Sequence, residues 1–523
     1  MISYHLSHLS KIILLKLKIG GKKRMANKKV FLTGASGTMG WAGFKEIYDK
    51  GNLDIVVLLR DSEKNREQFK QYLGDPRVRI VWGDLTSYES ILDCVNGADY
   101  VLHVGGMVSP SADYYPKKTI KTNVTAAENI VKAVKAQPNP DDVKVLYIGT
   151  VAQTGDRNEP IHWGRTGDPI KISIYDHYAI SKTMAEAIFA ESGLKHWVSM
   201  RQTGIMYPGI LKNMDPIMFH VVLRGVLEWA TVEDSATLLA NFCTTDLPED
   251  FWRRFYNIGS GKEYRLTNYE FEDLLLSSIG MGKGAAKKLF EPNWFITRNF
   301  HGQWYTDSDV LDDYLHFRHN VPVNEYFAGL SKTIPSYFKL SFVAANRIGK
   351  YFMKKIAKDE RFGTLTWIEN NDKERMSAFF GSKEEWAKLP SDWSMVDLSR
   401  PTDVPSYLDH GYDESKDISE LDFADMQKAA EFRGGACLSE KMKKGDVYSP
   451  AKWRCAHGHE FTMTPNLVLK GGHWCPECLP MPWNYDAIAK ANPFFNQVWA
   501  PLHDPSENNF YDESIYRDYD EYK

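Results

Sequence analysis

The stretch from Val30 to Gly40, VFLTGASGTMG, constrains the fold more than any other part of the chain. A β-branched and aromatic run feeds straight into glycines at 34, 37 and 40, and helix-compatible residues follow. This is how a first strand hands a pyrophosphate to a helix N-terminus. The glycines allow a tight turn and close backbone approach, and the helix end supplies unpaired N–H groups. The spacing is G-x-x-G-x-x-G rather than the commoner G-x-G-x-x-G. Thr33, Gly34, Ser36, Gly37, Thr38, Met39 and Gly40 are therefore candidate cofactor-binding residues.

Further strands follow at the intervals an α/β chain requires. Asp54 to Leu59, DIVVLL, is a continuous apolar run of the kind that forms a buried parallel strand, and it ends at Arg60. An acid at that position would grip the 2′-hydroxyl of NAD, whereas an arginine pairs with a 2′-phosphate. Arg60, with Lys64 as helper, thus points to NADP. Val78 to Trp82 is a third strand leading into Gly83, Asp84 and Leu85. Tyr100 to Val104 is a fourth, followed by Gly105 and Gly106, whose small size lets a flat cofactor lie against the backbone. Lys117 to Lys135 is patterned as an amphipathic helix containing Asn123, and Val143 to Gly149 is a fifth strand ending at Thr150.

Tyr178 and Lys182 lie four apart within YAISKTMAEAIFAE, a segment of good helix formers, which places both on one helix face. A nearby ammonium favours the phenolate, so Tyr178 is suited to passing a proton to or from a substrate oxygen.

The run TGASGTMG, GDL at 83–85, Thr150 with Gly155 five residues on, YAISK and RQTGIMYPG at 201–209 resemble, in this order, the extended short-chain dehydrogenase/reductases, the NAD(P)-dependent epimerase/dehydratase group. The likeness continues through ATVEDSATLLANF, FYNIGSGKEYRLTNYEF and 307–338, and so spans roughly 310 residues. It implies a Rossmann-type, doubly wound parallel sheet with a small C-terminal substrate lobe. It further implies Tyr178 as general acid/base and Lys182 on the nicotinamide ribose. Thr150 would hold the reacting oxygen, Asn123 would keep its helix in register, Arg60 would take the adenosine phosphate, and Asp84 with Leu85 the adenine end. Two departures matter. Val151 and Ala152 stand where dehydratases of this group carry Asp-Glu, which argues against elimination of water. The fourth strand ends His103-Val-Gly-Gly rather than in alanines, and Gly105 is kept as a cofactor contact.

The segments expected to line a substrate pocket offer Met107, Trp163, Gln202, Met206, Met214, Met218, Phe219, His220 and Trp229, with Arg224 and Arg265 as phosphate partners. This set favours an apolar or aromatic substrate. The expectation is an NADP(H)-dependent oxidoreductase interconverting a secondary alcohol and a ketone, with NAD as the alternative coenzyme. A nucleotide-sugar epimerase of the same family is the runner-up. A non-catalytic NADP-sensing scaffold is the alternative from another class, disfavoured because a sensor has no use for a proton donor.

The rest of the chain reads as separate segments: an extension at 1–25, the family domain at 26–340, a helical and irregular extension at 341–430, a metal module at 431–482 and a tail at 483–523. The first of these carries lysines within its apolar stretch and no small-residue cleavage site, unlike a signal peptide, so a start at Met25 is the preferred reading and a short basic amphipathic anchor the alternative. Residues 338–361 form a basic amphipathic pattern expected to lie across the enzyme rather than on a membrane. Six cysteines in 523 residues make no disulfide scaffold, which fits a reducing cytoplasm. Cys455-x₃-His459 and Cys475-x₂-Cys478 are two half-sites that together meet the tetrahedral N/S demand of a closed, structural Zn²⁺ site. Their flanks resemble small zinc-ribbon-like modules, and by that likeness His459 is the ligand, with His457 or Cys437 as alternatives. Net charge is −4 and charges in the module nearly balance, so neither nucleic acid nor a membrane is an expected partner. The expected partner is a small-molecule substrate, and a homodimer is left open.

Overall fold

The computed structural model describes residues 27–210, 215–335, 339, 346–479 and 483–518. The 1–25 extension, with the question of a start at Met25, and Met214 lie outside the described residues.

Seven parallel strands form one sheet: β1 (Lys28–Thr33), β2 (Leu53–Leu59), β3 (Val78–Trp82), β4 (Tyr100–His103), β5 (Lys144–Thr150), β6 (Trp197–Gln202) and β7 (Arg254–Ile258). Their spatial order is β7-β6-β5-β4-β1-β2-β3. The order reverses between β1 and β4, where Leu32 pairs with Leu102. That is the switch point at which open α/β sheets bind ligands.

Alternation along the strands sends successive side chains to opposite faces. Phe31, Val56, Val101 and Tyr147 face one way and pack on α2 (Pro116–Lys135) and α3 (His177–Ala190) through Ala127, Ile130, Ala185 and Phe189. Leu32, Val57, Leu102 and Ile148 face the other way, onto α1 (Thr38–Lys50) and α4 (Val232–Thr244) through Phe44, Ile47, Leu239 and Phe242. Each such buried side chain contributes about 1.5–3 kcal/mol of transfer free energy. The helices begin where their caps say. Asp176 accepts from the Ala179 N–H at 2.8 Å to start α3, and Thr231 from the Asp234 N–H at 3.0 Å to start α4.

A third apolar cluster joins the substrate lobe to the extension and the tail. Within it Phe219, Trp294 and Phe295 sit with Trp367 and Phe379, and with Trp483 and Tyr516. The basic pattern becomes α5 (Asn346–Ala357), with Met353 and Ala357 buried, Lys354 and Lys355 in water, and Tyr351 and Phe352 exposed. Two short helices follow, α6 (Thr364–Glu369) and α7 (Lys373–Phe380). Among the described residues, no helix is long and apolar enough to cross a membrane.

The cysteine-bearing segment folds as a three-stranded antiparallel sheet, β8 (Ala436–Cys437), β9 (Ala451–Arg454) and β10 (Glu460–Met463). It does not stand apart from the main sheet. Trp453, Leu467, Val468 and Trp474 belong to the same apolar cluster as Val145, Phe189 and Phe255.

Candidate active site

A cleft of about 1200 Å³ runs along the C-terminal ends of β1, β2, β4 and β5. Its floor is the β1–α1 turn, lined by Gly34, Ser36, Gly37, Thr38, Met39 and Gly40. A Cβ at Gly40 would sit 2.1 Å from the Gly34 carbonyl oxygen. One at Gly34, whose φ is +72°, would sit 2.6 Å from the Gly105 Cα. Only glycine allows the β1 and β4 ends to approach this closely. The N-cap of α1 is Gly37, which supplies no side-chain cap, so the first N–H groups of the helix are left for a ligand. A dinucleotide's pyrophosphate fits that cradle.

One end of the cleft is lined by Arg60, Lys64, Asp84 and Leu85. Asp61, next to Arg60 in the chain, is held by Arg66 in a bidentate pair at 2.6 and 2.8 Å. Burial opposes ionisation of Asp84, but the Thr86 hydrogen bonds, and then the charges of Arg60 and Lys118, hold it below its usual range.

At the other end Thr150 and Tyr178 line the wall. The Thr150 hydroxyl accepts from the Ala152 N–H at 3.2 Å, which leaves its own proton to point outward. Burial pushes the Tyr178 phenol above its usual range, and a hydrogen bond with Thr150 opposes the rise. Lys182, only 4% exposed, lies behind the wall rather than in it, with Nζ 4.4 Å over the Tyr147 ring. Burial lowers its ammonium to about 7, and Glu186 one turn on opposes that. This corrects the expectation that Lys182 pulls the phenol down. For both groups burial is the largest cause of the shift, and it disfavours the charged form.

Thr33 also sits behind the surface instead of touching a ligand. Its hydroxyl accepts from the Gly105 N–H at 2.9 Å and pairs with His103 Nδ1 at 2.9 Å, locking the two strand ends together. The departure from alanine at the end of β4 thus has a structural role. Asn123 lies behind the wall as well. It accepts from the Met107 N–H at 2.7 Å and donates to the Met107 carbonyl at 3.0 Å and to Ser181 Oγ at 2.8 Å. It thereby ties α2 to the β4 loop and to α3. Replacing Asn123 by Ala leaves the Met107 backbone unpaired, and urea unfolding is expected to show a loss of about 2–3 kcal/mol.

The substrate side differs most from the sequence reading. Met107, Gln202 and His220 line the cleft, while Trp163, Met206, Met218, Phe219 and Trp229 pack into the body. Trp229 stacks on Phe271 with ring centroids 3.9 Å apart. Arg224 and Arg265 are engaged elsewhere, with Glu159 at 2.8 Å and Glu228 at 2.7 Å. The wall is built instead from Asp113, Asp176 and His301, from Trp367, Glu374, Arg375 and Phe379 of the extension, and from Ser514, Ile515 and Arg517 of the tail. Burial, and then the charge of Asp176, raise Asp113 to about 8. The tail is docked on its own chain. His177 Nε2 meets the Ile515 carbonyl at 2.7 Å, and Asp518 accepts from the Lys117 N–H at 2.8 Å at the start of α2. Sequence reasoning missed the residues of the extension and the tail because 362–430 and 510–518 carry no periodicity that marks which side chains turn inward.

The structure also gathers Cys455, His459, Cys475 and Cys478, with ligand atoms within 4.8 Å of one another, and leaves His457 and Cys437 outside the group.

Residues 30–208 match the model of the NAD dependent epimerase/dehydratase family. The likeness to this family is confined to that span. The chain is 32% identical over 129 residues to the UDP-glucose 4-epimerase of Rickettsia conorii (strain ATCC VR-613 / Malish 7), covering 24% of this chain and 37% of that one. Against the UDP-glucose 4-epimerase of Rickettsia bellii (strain RML369-C) it is 32% identical over 112 residues, 20% and 33% of the two chains. The chain thus spans about a third of the length of the curated relatives it matches. Among solved structures, the Bordetella bronchiseptica enzyme WbmH in complex with NAD+ aligns over 58% of this chain and 96% of its own, at 19% identity and a TM-score of 0.44. UDP-glucuronic acid 4-epimerase from Bacillus cereus, in complex with UDP-glucuronic acid and NAD, aligns over 60% and 99% at 13% identity and a TM-score of 0.46.

Proposed function

We propose that this epimerase/dehydratase-domain protein is an NADP(H)-using enzyme that performs redox chemistry at a secondary alcohol of a polar, sugar-like substrate, in the manner of a nucleotide-sugar epimerase. The observation that carries this is the meeting of Thr150 and Tyr178 in the wall of the cleft whose floor is the glycine cradle. Gly34, Gly37 and Gly40 would hold the pyrophosphate, Arg60 and Lys64 the adenosine phosphate, and Lys182 the nicotinamide ribose. The nicotinamide, when bound, supplies hydride transfer. Tyr178 takes the hydroxyl proton of the substrate and returns it, and Thr150 donates to the same oxygen. Asp113, protonated at neutral pH, offers an O–H to a substrate oxygen, and Arg517 offers a cationic partner for an anionic group, Arg375 being paired with Asp372 at 3.0 Å.

The charged and hydroxyl groups in the wall support a polar substrate over an apolar one, since most of the methionines and aromatics that suggested the latter fill the core. A net alcohol/ketone oxidoreductase is the second reading. Arg60 favours it, because a 2′-phosphate marks the coenzyme pool used for net reduction. Incubation with NADPH or NADH and a panel of UDP-sugars and ketones separates the two. Isomerised sugar without lasting absorbance change supports epimerisation, and steady loss of nicotinamide absorbance supports net reduction. Arg60→Ala is expected to weaken NADPH binding about 10–100-fold, the worth of a charge-assisted contact, and NADH by less than about threefold. Equal weakening in a fluorescence titration would remove the NADP assignment.

A further inference from the structure

We propose that Cys455, His459, Cys475 and Cys478 hold one zinc ion, and that this ion fixes the loop carrying His473 against Glu186, so that the metal module braces the catalytic helix α3 from behind. The metal half of this stands on distances. Bonds of about 2.3 Å to sulfur and 2.0–2.1 Å to nitrogen at tetrahedral angles put neighbouring ligand atoms about 3.8 Å apart for S···S and about 3.6 Å for S···N. In the structure His459 Nδ1 lies 3.5, 3.6 and 3.4 Å from the sulfurs of Cys455, Cys475 and Cys478, and the Cys455 and Cys478 sulfurs are 3.7 Å apart. These four of the six ligand–ligand distances match a tetrahedral zinc site, and all six lie within 4.8 Å. All four corners are protein atoms, which makes the site structural and closed.

The bracing half stands on what lies two residues before Cys475. His473 Nε2 meets Glu186 Oε1 at 2.8 Å. Glu186, fully buried on α3, also accepts from Arg201 at 2.7 and 3.1 Å and from Ser199 Oγ at 2.6 Å. Arg201 in turn donates to the Gly471 carbonyl of the same loop at 2.6 Å. Gly472 lets that loop close in, since a Cβ there would sit 1.9 Å from the Asp168 carbonyl oxygen. Tyr178, Lys182 and Glu186 follow at intervals of four on one face of α3. The ridge that carries the acid/base at one end is therefore gripped by the metal module at the other. A buried carboxylate and guanidinium with no metal-held loop over them would be a cluster short of donors and acceptors, costly to keep in one arrangement.

The α3 role rests on the reading of Tyr178 and Lys182 given above, but the test does not need it. The purified full chain is assayed for zinc content and for amide hydrogen exchange in residues 177–190, before and after treatment with a zinc chelator, and for NADPH affinity. One zinc per chain is expected, with at least tenfold faster exchange in 177–190 once it is removed. His473→Ala should keep its zinc yet speed the same exchange and weaken NADPH severalfold, whereas His473→Gln, which retains a donor to Glu186, should restore both. A chain that takes up no zinc overturns the metal site. Unchanged exchange in 177–190 after zinc loss, or a His473→Gln variant as impaired as His473→Ala, overturns the brace. Chelation of the unaltered chain and the two His473 variants decide the matter without any substitution of a ligand. Absence of NADPH binding alongside the expected zinc and exchange results would instead overturn the proposed function and leave the brace standing.

Discussion

Replacing Tyr178 by Phe is expected to lower turnover by about 10²–10⁴-fold, the usual worth of a positioned general acid/base, while the NADPH dissociation constant changes by less than about twofold. The substitution removes one oxygen and keeps the ring, so the half-buried packing of α3 against the cleft stays intact. Thr150 loses a hydrogen-bond partner but keeps the Ala152 N–H, so folding stability should fall by no more than about 1 kcal/mol. Turnover is read on whichever sugar or ketone the unaltered chain converts, and affinity by fluorescence titration. A variant that retains more than a third of the turnover would show that another group moves the proton. An inactive variant that still binds NADPH and keeps its stability would place the loss in the chemical step, against a purely sensing role.

The dinucleotide half of the chain was legible because its constraints are local. Strands β2 to β5 lie within a residue or two of the runs DIVVLL, VRIVW, YVLHV and VKVLYIG, and the glycines that the turn demands are the ones whose added Cβ would strike backbone. The cysteine and histidine half-sites were legible for the same reason, each being a clip of five residues or fewer. The substrate wall was not. Arg375 and Arg517 reach it from segments remote in sequence from Tyr178, and nothing in KERMSAFF or in ESIYRDY distinguishes a side chain that turns into the cleft from one that meets water. The methionines and aromatics at 206–229 misled because a core position and a pocket position ask for the same greasy residues. Phe219 and Met206 satisfy the first demand. His473 escaped notice as well, because its partner Glu186 lies on a helix nearly three hundred residues upstream.

Replacing Lys182 by Met is expected to cost turnover and to gain stability, with a pH dependence that identifies the cause. The ammonium is 4% exposed and titrates at about 7 in the fold against 10.5 when free. A base whose folded value is depressed destabilises the native state most when both states are charged, below the folded value. The penalty is relieved as pH rises from about 7 to 10.5, where only the unfolded chain still holds the proton. At about 1.4 kcal/mol per unit the penalty has an upper bound near 5 kcal/mol. The Tyr147 ring beneath Nζ returns about 1–2 kcal/mol of it in the unaltered protein, which the methionine forgoes. The variant should therefore be more stable by roughly 3 kcal/mol at pH 6, by less at pH 9, and by nothing at pH 10.5, as read from urea unfolding at each pH. Equal gains at pH 6 and pH 10 would mean that the methionine merely packs better. A loss at pH 6 would mean that Glu186 more than compensates the buried charge, so that the lysine is held in place for stability as well as for chemistry.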